Sequence, residues 1–290
     1  MSARKPTVAG SFYPANKKGL QTQIGDYLGK AAYTKSKNVY GVVAPHAGYA
    51  YSGMCAAHSY KAITESAKAD TFVILGTNHT GYAESNFALS SEDFETPLGV
   101  VKNDREFYDA LILERKGKRF SVGNTLGDKL AHQQEHSIEV QLPFLQFILH
   151  GKFEIVPIIC QQQDYKNYAE FAKLIVQTAE KLKRKICIIA SGDMTHYGSA
   201  YGFLPFSGNA KENLYKMDGK AIELIAKFKT KEFLEYCSGK TICGAACISA
   251  AIEICRLLGS RNARLLKYYT SADLTGDYGN AVGYASIVFK

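Results

Sequence analysis

The sequence lacks the features that would place it in a membrane or divide it into separate units. No apolar run is long enough to span a bilayer, and the opening residues 1–6 contain no apolar stretch typical of a secretion signal. The 290 residues show no Gly/Ser-rich or Pro-rich linker, no low-complexity tract and no internal repeat. We therefore expect a cytoplasmic protein without a membrane partner, whose residues 1–290 form a single domain.

Paired cysteines are also lacking. The 7 cysteines are odd in number, widely spread and never in a CxxC arrangement, which argues against a disulfide framework and favours a reducing compartment. The formal net charge is +8, but the lysines and arginines are scattered and no nucleic-acid-binding motif accompanies them. We interpret this charge as surface solubility and predict no nucleic-acid partner.

What the sequence does contain is a series of continuous apolar runs. Residues 39–44, 71–75 and 185–190 show little alternation with polar residues, which is typical of strands buried on both faces. Segments with helical character lie between and after them, among them residues 165–182 and 242–258. This order predicts an α/β fold, and specifically a single-domain α/β/α sandwich with a central, mostly parallel sheet.

Two prolines and one histidine lead to local expectations. Pro157 lies inside a predicted strand over 153–159, and it should place that strand at a sheet edge or make it irregular, because proline cannot donate to the ladder. Pro143 lies inside a predicted helix over 134–145, which it should kink or divide. His132 lies beside a predicted loop, so we expect its side chain to be solvated.

Three predicted strands end alike, at a proline or glycine followed by ionisable side chains. His46 follows the first strand, His79 the second, and Asp193 with His196 the third. Because the carboxyl ends of parallel strands share one edge of a sheet, we expect these groups to converge in a cleft. Two imidazoles and one anionic ligand can hold a metal ion and leave positions open for substrate.

The anionic ligand is left open by the residues themselves, with Asp193 and Cys243 as candidates. A lone cysteine is usually a buried structural residue. Cys243 is a stronger candidate than most, because we place it in the first turn of the helix over 242–258, which Thr241 would cap. At that position the helix dipole favours a thiolate. His136 is a further candidate, which faces the same cleft or caps its own helix.

Five motifs in a fixed order give the sequence a family resemblance. They are Ala-Pro-His-Ala-Gly-Tyr at 44–49, Leu-Gly-Thr-Asn-His at 75–79, Glu-His-Ser-Ile-Glu at 135–139, Ser-Gly-Asp-Met-Thr-His at 191–196 and Thr-Ile-Cys-Gly at 241–244. Together they extend over nearly the whole chain, and they resemble the Memo family. That family is in turn similar to the class III extradiol dioxygenases, whose LigB-like fold has a metal cleft at the strand ends.

The resemblance implies roles for particular residues. His46 and His79 match the two histidine ligands, and Cys243 stands where the dioxygenases have a glutamate. His196 resembles their acid–base histidine, and Asp193 is a nearby cleft residue. The change from glutamate to cysteine weakens the case for ring cleavage, and a thiolate admits copper or zinc as well as iron.

Three functions remain open from the sequence. The first is a metal-dependent, dioxygenase-like oxidoreductase with a mononuclear ion, iron before copper or zinc, held by His46, His79 and Cys243, with His196, Asp193 and His136 as catalytic candidates. The second is a metal-free hydrolase with Cys243 as nucleophile and His196 as base. The third is a binding module for an anionic peptide or small ligand. The resemblance also implies a radical-SAM protein as a possible partner.

Overall fold

In the described part of the chain, 11 strands form a central sheet. The computed structural model describes residues 3–32, 38–66, 69–150 and 153–290. The strands in chain order are β1 (Gly41–Ala44), β2 (Thr71–Thr77), β3 (Phe87–Leu89), β4 (Phe94–Thr96), β5 (Gly99–Asn103), β6 (Val122–Gly123), β7 (Glu154–Cys160), β8 (Ile186–Ser191), β9 (His196–Gly198), β10 (Ala263–Thr270) and β11 (Asn280–Phe289).

Four adjacent strands in the order β1, β8, β2 and β7 run parallel to one another. Beyond β1 the sheet continues with β11, which is antiparallel to β1, and then with β10, which is antiparallel to β11. Beyond β7 it continues with the short strand β3, which is antiparallel to β7, and then with β6, which is parallel to β3. β5 is parallel to β7 and pairs with β4, and β9 pairs with β11. The parallel centre confirms the predicted α/β class, whereas the flanks are mixed.

Helices cover both faces of this sheet. They are α1 (Lys17–Lys30), α2 (Tyr49–Ser66), α3 (Arg105–Glu114), α4 (Leu126–Gln134), α5 (Leu142–Leu149), α6 (Tyr165–Lys181), α7 (Ala210–Ala226), α8 (Thr230–Cys237), α9 (Ala245–Leu257) and α10 (Ser271–Thr275). Among the helices in the described part of the chain, none combines the length and apolar character needed to cross a bilayer. The single-domain assignment of residues 1–290 stays a prediction.

Successive strand residues face two separate cores, which explains the continuous apolar runs. Val42 and Ile74 pack with the side chains of α1, α2 and α5, whereas Val43 and Val73 pack with those of α6 and α9. All four side chains are fully buried. Burial of such a side chain contributes about 2 kcal/mol to folding stability relative to leaving it in water. Apolar side chains are therefore favoured on both faces of the sheet.

The expectation that Pro157 lies in an edge strand is wrong, because β7 lies between β2 and β3. On the side away from β2, β5 pairs with β7 as far as Ile155, and β3 pairs with it from Ile158 onward. The Pro157 carbonyl accepts a hydrogen bond from Ser90 N at 3.3 Å on that side. The missing N–H therefore falls where one partner strand replaces another, and no ladder bond is lost.

The single helix predicted over 134–145 does not form, and Pro143 lies near the start of a helix instead of in the interior of one. α4 ends at Gln134, and α5 begins at Leu142 after a 3-10 turn over Glu139–Gln141. Pro143 lies in the first turn of α5, where its missing N–H has no intrahelical partner to lose.

The helix predicted over 242–258 begins later, and Thr241 does not cap it. α9 starts at Ala245, with Gly244 at the N-cap position. Ile242 instead forms a β-bridge with Thr195, and the Thr241 hydroxyl donates to the carbonyl of His196. Residues 241 and 242 pair with the segment after β8 instead of forming helix. Cys243 therefore precedes the helix instead of lying in its first turn.

The expectation that His132 is solvated is also wrong, since its side chain is buried. It lies on α4, which Thr125 caps with a reciprocal hydrogen bond to Asp128. The ring Nε2 lies 2.9 Å from the Ala88 carbonyl oxygen. Burial lowers the pKa of His132 from 6.5 to about 4, although the Ala88 contact opposes the shift.

This burial predicts a specific loss of stability in acid. As the pH falls from 6.5 to 4, the unfolded chain takes up a proton at His132 that the folded chain refuses, which removes up to about 3 kcal/mol of stability. His132→Gln keeps a side-chain donor but does not titrate. Urea unfolding between pH 7 and 4 should therefore show a shallower decline in the free energy of unfolding for His132→Gln. Equal declines in both proteins would contradict the assignment.

Candidate metal centre

Three strand ends bring ionisable groups to one edge of the parallel sheet. His46, His79 and Asp193 each lie two residues beyond the last residue of β1, β2 and β8, respectively. β8 pairs in parallel with both β1 and β2, so the three strands end side by side. The three groups therefore project from neighbouring positions on the same edge.

His46 is buried and oriented by Ser191. Its ring Nδ1 lies 3.1 Å from Ser191 Oγ, and its backbone N–H donates to Asp193 Oδ1 at 2.9 Å. The Ser191 hydroxyl already donates to the Ser137 carbonyl at 2.6 Å, so the hydrogen bond to the ring must come from Nδ1–H. This tautomer leaves a lone pair on Nε2, which lies 3.3 Å from Cys243 Sγ. Burial, followed by the neighbouring His79, lowers the pKa of His46 and keeps the ring neutral.

His79 is oriented by Glu135, a buried carboxylate. The His79 Nδ1 lies 3.0 Å from Glu135 Oε1, and the His79 backbone N–H donates to Oε2 at 2.8 Å. Burial opposes the ionisation of Glu135, but the hydrogen bond and charge of His79 outweigh it and hold the pKa of Glu135 at about 2. Burial likewise lowers the pKa of His79, but Glu135 more than reverses this and raises it above its usual value. The ring therefore directs Nε2 away from the carboxylate.

His136 completes a cluster of three imidazoles. Its ring stacks on that of His79, with centroids 4.8 Å apart, and lies 5.5 Å from the His46 ring. Its backbone N–H donates to Glu135 Oε1 at 2.9 Å. His46, His79 and His136 each offer a nitrogen within 4.8 Å of the others. Of the two predicted roles, the structure shows His136 facing the cleft.

Cys243 and Asp193 form a second grouping with His46. One ligand atom from each of the three residues lies within 4.8 Å of the others. The Asp193 backbone N–H donates to Cys243 Sγ at 3.3 Å. Burial of the sulfur and the Asp193 carboxylate raise the pKa of Cys243, so the expectation that a helix dipole favours its thiolate is wrong. The predicted set of His46, His79 and Cys243 is not itself such a grouping, because His79 and Cys243 belong to different ones and only His46 belongs to both.

His196 lines the same cleft outside those two groupings. Its ring Nδ1 lies 3.0 Å from the Thr241 carbonyl oxygen, and its ring packs edge-on against Tyr201 with centroids 5.1 Å apart. Because a carbonyl oxygen only accepts, the ring holds Nδ1–H there and exposes Nε2. Such a nitrogen can take up and return a proton.

The cleft has a volume of about 550 Å³, which suits a small molecule. Its lining residues are Phe12, His46, Ala47, Tyr51, His79, His136, Asp193, His196, Tyr201, Ser271, Thr275, Asp277, Asn280, Val282 and Tyr284. No lysine or arginine is among these lining residues, although the whole chain carries a net charge of +8. The cleft therefore carries four imidazoles and two carboxylates but neither a lysine nor an arginine.

Sequence reasoning missed the residues that orient the predicted ligands. Glu135 holds two imidazole-bearing residues, Ser191 fixes the His46 tautomer, and Thr241 fixes the His196 ring. All three residues lie in the quoted motifs: Glu135 and Ser191 open those at 135–139 and 191–196, and Thr241 opens that at 241–244. The motifs do not indicate which ring each residue contacts, because those contacts join segments that are distant in the sequence.

The donor set fits a bound metal ion. Both His46 and His79 have Nδ1 engaged by a hydrogen-bond acceptor, which is the arrangement that usually fixes a metal-ligating imidazole. Nε2 of His46 lies beside a thiol, and a third imidazole and a carboxylate are within reach. Nitrogen, sulfur and carboxylate donors together suit iron, copper or zinc.

These observations define a class, an α/β protein whose strand ends form a cleft lined by imidazoles and carboxylates, with a thiol beside one of the imidazoles. The family model described as Memo-like protein matches residues 4–288. A MEMO1 family protein from Methanopyrus kandleri is 39% identical over 297 residues, covering 99% of each chain. MEMO1 family proteins from Pyrococcus abyssi and Methanosarcina barkeri are 39% and 37% identical, and 99% of this chain is covered in each case. The chain belongs to the Memo family.

The role of Glu135 can be tested in the metal-free protein. Glu135→Gln removes the negative charge that raises the pKa of His79. The ring is partly exposed and Asp193 also favours its charged form, so we expect the pKa of His79 to fall toward its usual value, as followed by NMR titration of the ring signals. An unchanged His79 titration would refute this electrostatic role.

Proposed function

We propose that the strand-end cleft is a mononuclear metal centre with His46, His79 and Cys243 as ligands. The observation that carries this proposal is the 3.3 Å approach of His46 Nε2 to Cys243 Sγ, with Nδ1 of His46 engaged by Ser191. The adjacent His79 ring, 4.9 Å from that of His46, is oriented in the same way by Glu135. His136 and Asp193 are close enough to complete or exchange a ligand position.

The proposed activity is that of a metal-dependent oxidoreductase of the dioxygenase-like type. When bound, the ion would supply Lewis acidity and electron transfer toward O₂ or a reduced oxygen species. Iron is our first choice, and copper or zinc are the alternatives because a thiolate is a softer ligand than a carboxylate. The substrate would be a small molecule or a peptide segment held in the cleft.

The chain's own residues divide the remaining tasks. His196, with Nδ1 held by the Thr241 carbonyl, would hold or move a proton at Nε2. Asp193 accepts a hydrogen bond from the backbone N–H of His46 and so fixes that ligand's position. Tyr51 and Tyr201 line the cleft and are partly exposed, which places them where a bound ligand would displace water.

The metal-free hydrolase receives less support from the geometry. The imidazole beside the Cys243 sulfur is His46, not the predicted base His196. The pKa of Cys243 is also raised by burial, which disfavours a free thiolate nucleophile. The anionic-ligand module is likewise less favoured, because the lining residues of the cleft include Asp193 and Asp277 but neither lysine nor arginine.

Partners and compartment remain predictions. The radical-SAM partner rests on family resemblance. All seven cysteines are free thiols, a state that a reducing compartment such as the cytoplasm maintains.

The metal proposal is tested by elemental analysis of protein purified without chelators or a polyhistidine tag. Wild-type protein should carry about one ion per chain, and His46→Ala should retain less than about a tenth of it, because that ring belongs to both groupings. His150→Asn is the matched control, since His150 is exposed and has a left-handed backbone that asparagine tolerates. Unchanged metal in His46→Ala would defeat the proposal.

Alkylation separates the metal centre from the hydrolase. In the proposed centre, iodoacetamide should modify Cys243 slowly in loaded protein and faster after chelation. Rapid modification near neutral pH, unaffected by added metal, would favour the nucleophile instead.

A further inference from the structure

Asp218 is a buried carboxylate that belongs to neither metal grouping. It lies on α7 with no exposed surface. Its Oδ1 accepts from the backbone N–H of Thr195 at 3.2 Å and from the Thr195 hydroxyl at 2.5 Å, and its Oδ2 accepts from the Tyr268 hydroxyl at 2.7 Å. A carboxylate buried to this extent is costly unless fully hydrogen-bonded, and here both oxygens are engaged.

Thr195 belongs to the segment that carries two cleft residues. It immediately precedes His196 and follows Asp193 by two positions. In the same segment, the Asp193 backbone N–H donates to Cys243 Sγ, and Asp193 Oδ1 accepts from the His46 backbone. A displacement of Thr195 would therefore disturb the contacts of both the Cys243 thiol and the His46 ligand.

A glycine makes room for this carboxylate. A Cβ at Gly283 on β11 would lie 2.0 Å from Asp218 Oδ2, so a side chain there would expel the acid. The same glycine exchanges backbone hydrogen bonds with the segment, accepting from Met194 N at 2.8 Å and donating to the Thr195 carbonyl at 3.0 Å. The segment is thus held by β11 on its backbone and by α7 through one side chain.

We propose that Asp218 is a positioning residue of the metal centre, which acts through Thr195 to fix Asp193, His196 and the environment of Cys243. Its contribution toward the metal rests on the proposed function. Its positioning of the Asp193–His196 segment does not rest on the proposed function and can be measured without metal. Residues that hydrogen-bond to metal ligands typically contribute about 10–100-fold to metal affinity, and Asp218 acts on the ligands through the Asp193–His196 segment.

Glu253 provides a matched control. It is a buried carboxylate on α9 that also accepts from a threonine hydroxyl, that of Thr230, and from Arg256, and it does not line the cleft. Removing it should destabilise the protein without moving the Asp193–His196 segment. Asp218→Asn is the conservative variant, because its amide oxygen can accept from Thr195 and its NH₂ can donate to Tyr268.

The experiment titrates Co²⁺ into wild type, Asp218→Ala, Asp218→Asn and Glu253→Ala, following the thiolate-to-cobalt charge-transfer band. We expect about 10–100-fold weaker binding for Asp218→Ala, with Asp218→Asn and Glu253→Ala within about threefold of wild type. In parallel, the rate of Cys243 alkylation by iodoacetamide is measured in metal-free protein by peptide mass spectrometry. It should rise severalfold in Asp218→Ala alone.

The two readouts separate the possible failures. If Asp218→Ala and Glu253→Ala behave alike in both assays, Asp218 is a structural residue and the inference is overturned. If wild type binds no Co²⁺, the proposed function fails, and the alkylation rates alone decide whether Asp218 positions the segment. Should Asp218→Ala fail to fold, Thr195→Val removes one donor to Asp218 and must show the same changes in weaker form.

Discussion

The parallel alignment of β1, β8 and β2 is the constraint on which the candidate site depends. Val43 and Ala44 of β1 pair with Ala190 and Ser191 of β8, and Leu75 of β2 pairs with Ala190 from the other side. A slip by one residue would exchange the two faces of a strand between the two cores, so burial on both faces fixes this register. The register in turn fixes the spacing of the groups that follow each strand.

Buried carboxylates then hold the backbone of the residues that follow the strands. Glu135 accepts from the backbone N–H groups of His79 and His136 and also orients the His79 ring, and Asp193 accepts from the backbone N–H of His46. A further acid, Glu139, is paired with Arg4, whose guanidinium also donates to the Glu135 carbonyl at 2.6 Å. Removing either member of such a buried pair leaves an uncompensated charge, so the N-terminal segment is tied energetically to the cleft.

The sequence predicts the parts of this site that follow from strand ends and motifs, and misses those that follow from pairing in space. The positions of His46, His79 and Asp193 after strands were predictable, because apolar runs ending at proline or glycine are local signals. The surroundings of Cys243 were not, since the contact between Thr195 and Ile242 is long-range and displaced the expected helix start. The strand that contains Pro157 was wrongly predicted at a sheet edge for the same reason. A proline is tolerated inside a sheet where no neighbouring strand requires its missing N–H, and the sequence does not show which strand lies beside it.

The electrostatics of the thiol and the imidazole are compatible with the proposed cation between them. Burial raises the pKa of Cys243 and lowers that of His46, so without a cation both groups favour their neutral forms. A neutral thiol beside a neutral ring makes a poor nucleophile. A metal ion reverses the preference of the thiol, because a coordinated sulfur is deprotonated and the ion's charge offsets the desolvation of the thiolate. The ring needs no such change, since its Nε2 lone pair is already free. Burial therefore works against a hydrolase and is consistent with a metal centre that takes up an ion and releases a proton.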